Sequence, residues 1–254
     1  MTFDEPHEAD IEEENYFVSM TDMMVGLVFI FIILLMYYVL QFRDVTEQLS
    51  GADRTRTEIL HKLQKTLKEN GVIVSIDTQN GVLRLPDAIL FDSARAELKP
   101  EGLTAVGHLA DALADVLPCY TDLTGGSAQR PARCPPDNHH RIEALYVEGH
   151  TDADALKGAG MLRDNWDLSA LRATNTYRAL TSLRPALAAE CSLNRNGDCE
   201  PVLSVSGYGP QRLIDRGPTD EDKRRNRRID LRLIMVTPDS GATAGALRQR
   251  LEAQ

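Results

Sequence analysis

Hydrophobic and polar positions follow three successive patterns along the chain. From Met23 to Leu40 eighteen consecutive residues carry no charge and almost all are apolar. At about 1.5 Å of rise per helical residue this run approaches the hydrocarbon thickness of a bilayer, which predicts a transmembrane helix over 16–41. Tyr16 and Phe17 before it, and Tyr37 and Tyr38 near its end, suit the two interfaces. Phe42, Val45, Leu49, Ala52, Ile59 and Leu63 then recur at 3–4 spacing, interrupted by Gly51 and Arg56. That spacing predicts a helical connector over 42–70. It either pairs with a second copy of itself as a coiled coil or lays one apolar stripe on a neighbouring domain.

The third pattern alternates between strand and helix. Asn70-Gly71 is a helix-stop pair, followed by a strand over Val72 to Ile76, a turn at Asn80-Gly81 and a strand over Val82 to Leu85. A helix is expected from Pro100 to Leu117, then a strand from Leu145 to Glu148, a helix from Asp167 to Leu183 and strands at Val202 to Ser206 and Ile229 to Met235. Strands separated by helices of this length imply βαβ units with helices packed on a sheet. The fold class is therefore α+β: one transmembrane helix, a helical connector, and a domain over 71–237 with helices on a mixed sheet. The stretch 238–254 is small and polar and is expected to be a flexible tail.

Charge changes this picture at one end. The chain carries a formal −10, but residues 1–22 hold eight Asp or Glu and no Lys or Arg, so the remainder sums to only −2. Residues 1–15 lack the apolar content to fold alone and read as an acidic, disordered leader. A cleaved signal peptide would need a basic segment before a shorter apolar run, and none precedes Met23.

Orientation draws on two signals that conflict. Arg43, Arg54 and Arg56 follow the span, which alone would leave the C-terminal part in the cytoplasm. Cys119 with Cys134, and Cys191 with Cys199, each flank a local loop and read as two disulfides of an oxidising compartment. The basic bias is slight, so the cysteines weigh more. The expectation is a single-pass bacterial inner-membrane protein with a cytoplasmic N-terminus and a periplasmic C-terminal domain.

Several motifs invite functional readings that their context weakens. Zinc is the rival use of the cysteines, but no Cys-x-x-Cys or paired-His spacing accompanies them, and His139-His140 lies in a loop. No metal or other cofactor is expected. Lys223 to Arg228 contains five basic residues, yet Asp220, Glu221 and Asp222 precede it, which speaks against direct nucleic-acid binding. His150, Asp152 and Ser169 could be drawn as a hydrolase triad, but no nucleophile elbow goes with them, so no enzyme is expected.

Ordered motifs do carry a resemblance. Ile89-Leu90-Phe91-Asp92-Ser93-Ala94 with Glu97-Leu98-Lys99-Pro100, Glu148-Gly149-His150-Thr151-Asp152, Asn165 with Leu168-Ser169 and Arg172-Ala173, Gly207-Tyr208-Gly209 and Asn226-Arg227-Arg228 resemble, in order, OmpA-like peptidoglycan-binding domains. The resemblance implies a pocket for the diaminopimelate of a peptidoglycan stem peptide, with Asp152 and Arg172 as its charged pair and Thr151, Phe91, Asp92, Leu168, Asn226 and Arg228 around them. A zwitterionic amino-acid end offers an ammonium to a carboxylate and a carboxylate to a guanidinium, so the chemistry fits. Read without the family, Asp152 is a helix cap and Arg172 pairs with an acid elsewhere. The segment Ala153 to Asp164 is longer than is usual in the family and is expected to form a lid or reshape the pocket.

Tyr16-Phe17-Val18-Ser19-Met20-Thr21-Asp22-Met23-Met24, leading into one span, resembles the start of MotB-type stator subunits, and with the acidic leader it is most similar to ZorB-type subunits of the Zorya anti-phage defence system. That resemblance implies a homodimer inside a ring, a pentamer, of a polytopic MotA- or ZorA-like membrane protein, with Asp22 as the ion-carrying residue. Cytoplasmic defence effectors would be indirect partners. The residues leave two readings of Asp22. In a helix starting at Phe17 it lies about 7 Å along the axis, where a carboxyl can load and release protons. In a helix starting at Met23 it is only the N-cap.

Overall fold

The computed structural model describes residues 8–123, 131–135, 140–156, 162–194 and 196–237. The described residues divide into two units, 8–49 and 50–237. Helix α1 spans Glu8–Glu69. It begins inside the acidic leader, so residues 8–15, expected to be disordered, are helical, while 1–7 and the expected tail lie outside the described residues.

In the first unit Met23 to Leu40 turn every large apolar side chain outward, as Phe29 at 65% and Leu35 at 64% exposure illustrate. Among the described residues this is one helix long and apolar enough to cross a membrane, with a mean hydropathy of 2.8 over its best window. A helix apolar all round and unpacked in water is what a bilayer-facing segment requires.

The second unit begins earlier than the sequence suggests. Ala52, Ile59, Leu60, Leu63 and Leu67 of α1 are buried in its core, so the second half of the connector's apolar stripe packs on the domain, while Phe42, Val45 and Leu49 of its first half stay exposed. The helix stops as expected: Gly71 adopts φ +77°, and Val72 N–H returns to the Leu67 carbonyl. The first strand, β1 (Ser75–Asp77), starts three residues later than predicted and pairs with β2 (Val82–Pro86).

A one-turn helix α2 (Asp87–Leu90) and α3 (Pro100–Val116) follow, the latter with its Pro in the first turn as expected. Then come β3 (Asp122–Leu123), β4 (Ile142–His150), α4 (Asn165–Leu183), β5 (Glu190–Leu193), β6 (Cys199–Pro201), β7 (Leu203–Gly207), α5 (Asp220–Asn226) and β8 (Arg228–Met235). The main sheet runs β1-β2-β8-β4-β7, with β4 and β7 parallel across the α4 crossover and the other pairs antiparallel. This is the mixed sheet with packed helices that the alternation implied. Leu83, Leu85, Leu145, Val147, Ile229, Leu231 and Leu233 meet Leu109, Leu113 and Leu180 in the core.

A second sheet, β3-β5-β6, is absent from the sequence reading because its strands are two to four residues long. Both cysteine pairs are disulfides, Cys119–Cys134 with Cα atoms 5.2 Å apart and Cys191–Cys199 at 5.4 Å. The latter ties β5 to β6, and Cys191 also pairs in register with Asp122 of β3. Each link restricts the unfolded chain by closing a short loop.

Candidate functional site

The site forms where the C-terminal end of β4 meets the N-terminal half of α4. Two glycines let these elements approach. A Cβ on Gly149 would collide with the Ser169 backbone, and one on Gly207 would come within 2.7 Å of the Ala170 backbone. Asp164 caps α4 by accepting from the Trp166 and Asp167 N–H groups at 2.9 and 3.0 Å. Asn165 donates to the Asp154 carbonyl at 2.8 Å and the Asp152 carbonyl at 3.4 Å, fastening the strand end to the helix start.

These contacts bring together two Asp and two Arg. Arg172 is 1% exposed, donates through Nε to the Arg95 carbonyl at 2.8 Å and through Nη2 to the Asp92 carbonyl at 3.2 Å, and lies 5.0 Å over the Phe91 ring. The loop presenting those carbonyls holds Ala94 at φ +56°, a left-handed conformation costly for a side-chain-bearing residue. Arg172 Nη1 stands 3.0 Å from Asp87 Oδ1 but is out of line for a hydrogen bond, so the contact is an ion pair. Asp152 pairs with Arg227, and Arg227 Nε is 4.0 Å from the other Asp87 oxygen.

Burial, partly offset by Arg172 and Arg227, raises the Asp87 carboxyl to about 6, with Asp152 adding to the rise. Burial is likewise the main influence lowering Arg172, against the opposing pull of Asp87. The quartet is neutral when fully ionised.

The expected residues divide between this cluster and its surroundings. Asp152 and Arg172 both lie in this cluster. Each is nevertheless held by another partner, so Arg172 does pair with an acid elsewhere, while Asp152 is no cap. Phe91 and the Asp92 carbonyl hold Arg172; the Asp92 side chain is exposed. Thr151 bonds its hydroxyl to the Asp152 carbonyl and its N–H to the Gly209 carbonyl, and Leu168 is buried on α4.

Asn226 and Arg228 turn elsewhere. The Asn226 amide oxygen accepts from Ile214 and Asp215 N–H groups, and Arg228 pairs with Asp230 at 3.0 Å. Arg227, between them, faces the quartet. Asn226 ends α5 while Arg227 and Arg228 are extended, where neighbours point to opposite sides, so the motif carried this signal. Asp87 had none: a lone acid after Pro86 looks like an exposed turn residue. Of the long segment after Asp152, residues 157–161 lie outside the described residues; its first part is tied down by the Asp154–Lys223 ion pair at 2.8 Å.

Behind the quartet, Glu148 receives two hydrogen bonds from Arg232 at 2.8 and 2.9 Å, and register places it opposite Asp230. His150 stacks on Tyr208 and sits 3.5 Å from Asp230 and 3.8 Å from Glu148. Burial pushes the Glu148 carboxyl up, but His150 and Arg232 outweigh it and hold it at about 2; at 3.8 Å the histidine is beyond hydrogen-bond reach, so Arg232 carries the larger part. Although Glu148, His150 and Asp230 converge like metal ligands, Arg232 and Arg228 already neutralise the carboxylates, which makes this a structural ion network.

No protein-family model matches the chain. It is 25% identical over 182 residues to Motility protein B of Bacillus subtilis, covering 72% of this chain and 51% of that one, so it spans about half the length of that relative. A putative MotB-like protein from Desulfovibrio vulgaris superposes with a TM-score of 0.50 at 21% identity, over 72% of this chain and 96% of that one. The fold is MotB-like. The cell wall anchor of the type VI secretion system from Pseudomonas aeruginosa matches at a TM-score of 0.43 and 19% identity, over 71% of this chain and 97% of that structure.

Proposed function

We propose that this MotB-like chain is a peptidoglycan-anchored stator-type subunit of the bacterial inner membrane, crossing once with its N-terminus cytoplasmic and its folded domain periplasmic. The observation that carries the anchoring role is the gathering of Asp152 and Arg172, from a strand end and a helix, into one buried charge cluster. A carboxylate and a guanidinium so placed complement the two ends of a zwitterionic diaminopimelate, and neither alone would select it. The likeness to Motility protein B and the two disulfides, which suit an oxidising compartment, support the stator class and the orientation.

The test is co-sedimentation of the full-length protein in detergent with purified peptidoglycan. Asp152→Asn and Arg172→Lys, chosen to preserve packing, are each expected to weaken retention at least tenfold, since each strands one charge of the ligand. Retention equal to wild type in both would place the binding surface elsewhere.

Two copies inside a ring of a MotA- or ZorA-like partner would make Asp22 the ion carrier, driving rotation about a wall-held axle. Asp22 lies well inside α1, not at its cap, which favours this over a passive tether. The Ser19 to Met24 wording and acidic leader favour Zorya defence, as a ZorB subunit responding to envelope damage, over flagellar service. Loss of phage resistance on deleting the gene, with swimming unaffected, is the expected result; the reverse would assign it to a flagellum.

A further inference from the structure

The two groups assigned to recognition are both occupied from within. Arg172 is 1% exposed and faces the Asp87 carboxylate at 3.0 Å; Asp152 is 8% exposed and paired with Arg227. Asp87 therefore sits where a ligand carboxylate would bind Arg172, and the Arg227 guanidinium sits where a ligand ammonium would bind Asp152. The two occupants come from different elements, Asp87 opening α2 and Arg227 ending α5.

We propose that Asp87 and Arg227 form a self-occupying latch, and that a zwitterionic amino-acid ligand enters by exchanging partners with both. This rests on the wall-anchor reading above and adds its regulation. The ligand carboxylate replaces Asp87 on Arg172, its ammonium replaces Arg227 on Asp152, and the displaced pair closes on itself. The existing 4.0 Å approach of Arg227 Nε to Asp87 Oδ2 is the start of that closure.

Charge accounting favours a concerted exchange over a one-ended one. The closed quartet holds two ion pairs and the liganded state three, with no charge left alone. A ligand bearing only a carboxylate would expel Asp87 but leave the Arg227–Asp152 pair in place, and one bearing only an ammonium would do the converse. A buried charge stripped of its partner is strongly penalised, so the latch selects ligands carrying both charges. The charged groups facing Asp87 are Arg172 on α4, Arg227 at the end of α5 and Asp152 beyond β4. The backbone carbonyls of Asp92 and Arg95 keep Arg172 in place when Asp87 departs.

The test measures binding of a soluble diaminopimelate-containing muropeptide to the full chain in detergent, with three ligand forms: unmodified, carboxyl-amidated and N-acetylated. Asp87→Asn should tighten binding of the unmodified ligand by about three- to tenfold, a gain absent with the amidated form. Arg227→Gln should give a similar gain that is absent with the N-acetylated form. A residue that merely supports the fold predicts the opposite, weaker binding of every form.

Unchanged or weaker binding by a folded Asp87→Asn protein, or equal gains for capped and free ligands, overturns the latch. Should Asp87→Asn not fold, the half-exposed Arg227 decides: no gain in Arg227→Gln overturns it. Asp152→Asn separates the two levels of the argument. Wild-type affinity in that variant removes the amino-acid pocket, and the latch with it, whereas loss there without gain at 87 and 227 removes the latch alone.

Discussion

Asp87 and Glu148 are two buried carboxyls whose surroundings push them in opposite directions, and each predicts a distinct dependence of stability on pH. Folded Asp87 keeps its proton up to about pH 6, whereas an unfolded aspartate releases it near 3.9. Between those values the folded state binds the extra proton, so this group's contribution falls as pH rises, by roughly 2–3 kcal/mol in all. Denaturant unfolding of Asp87→Asn should lack that decline. Folded Glu148 titrates at about 2, so its ion pair with Arg232 contributes above about pH 4.3 and is lost as pH falls toward 2. Glu148→Gln should therefore be less stable than wild type at pH 7 and converge with it near pH 2.

At the scale of elements, the glycines of the recurring motifs owe their place to the crossing of α4 over the sheet. Gly149 and Gly207 are register partners on β4 and β7, and both lie under the helix backbone at Ser169 and Ala170. A methyl group there meets main chain, which cannot rotate away. Gly207→Ala is expected to cost about 1–3 kcal/mol in unfolding free energy and to lower the proposed peptidoglycan binding through the displaced α4.

The disulfides act on a different part of the molecule. They close loops with sequence separations of 15 and 8 residues, and chain-entropy reasoning assigns them about 3 and 2.5 kcal/mol respectively. Cys119→Ser with Cys134→Ser should show that loss in denaturation. Peptide mass mapping of non-reduced protein should recover these two pairs; crossed pairing or free thiols would remove the support for an oxidising compartment.

At the scale of the whole molecule, the proposed ion conduction rests on Asp22. Asp22→Asn keeps size and hydrogen-bonding capacity but cannot ionise, so it should abolish activity while co-purification with the membrane partner persists. Asp22→Glu should keep part of the activity, and Asp22→Ala none. Full activity of the Asn variant would reduce the chain to a tether.

Features with a local physical cause were legible along the chain. An unbroken apolar run predicts a membrane span, Asn70-Gly71 a helix stop, Pro100 a helix start, and β-branched runs most of the sheet. The motif order likewise pointed to Asp152 and Arg172. Features that depend on partners distant in the chain became legible only in the folded molecule. The stripe from Phe42 to Leu63 fits a coiled coil or a domain face equally well by period; packing gives Ala52, Ile59 and Leu63 to the domain and leaves Phe42, Val45 and Leu49 exposed. The short β3-β5-β6 sheet has too few residues for a pattern and exists through its pairing and its disulfide. Asp87 was invisible as a site residue, and Arg227 could not be told from its motif neighbours, because an ion pair is set by which elements converge, 85 residues separating Asp87 from Arg172 and 75 separating Asp152 from Arg227.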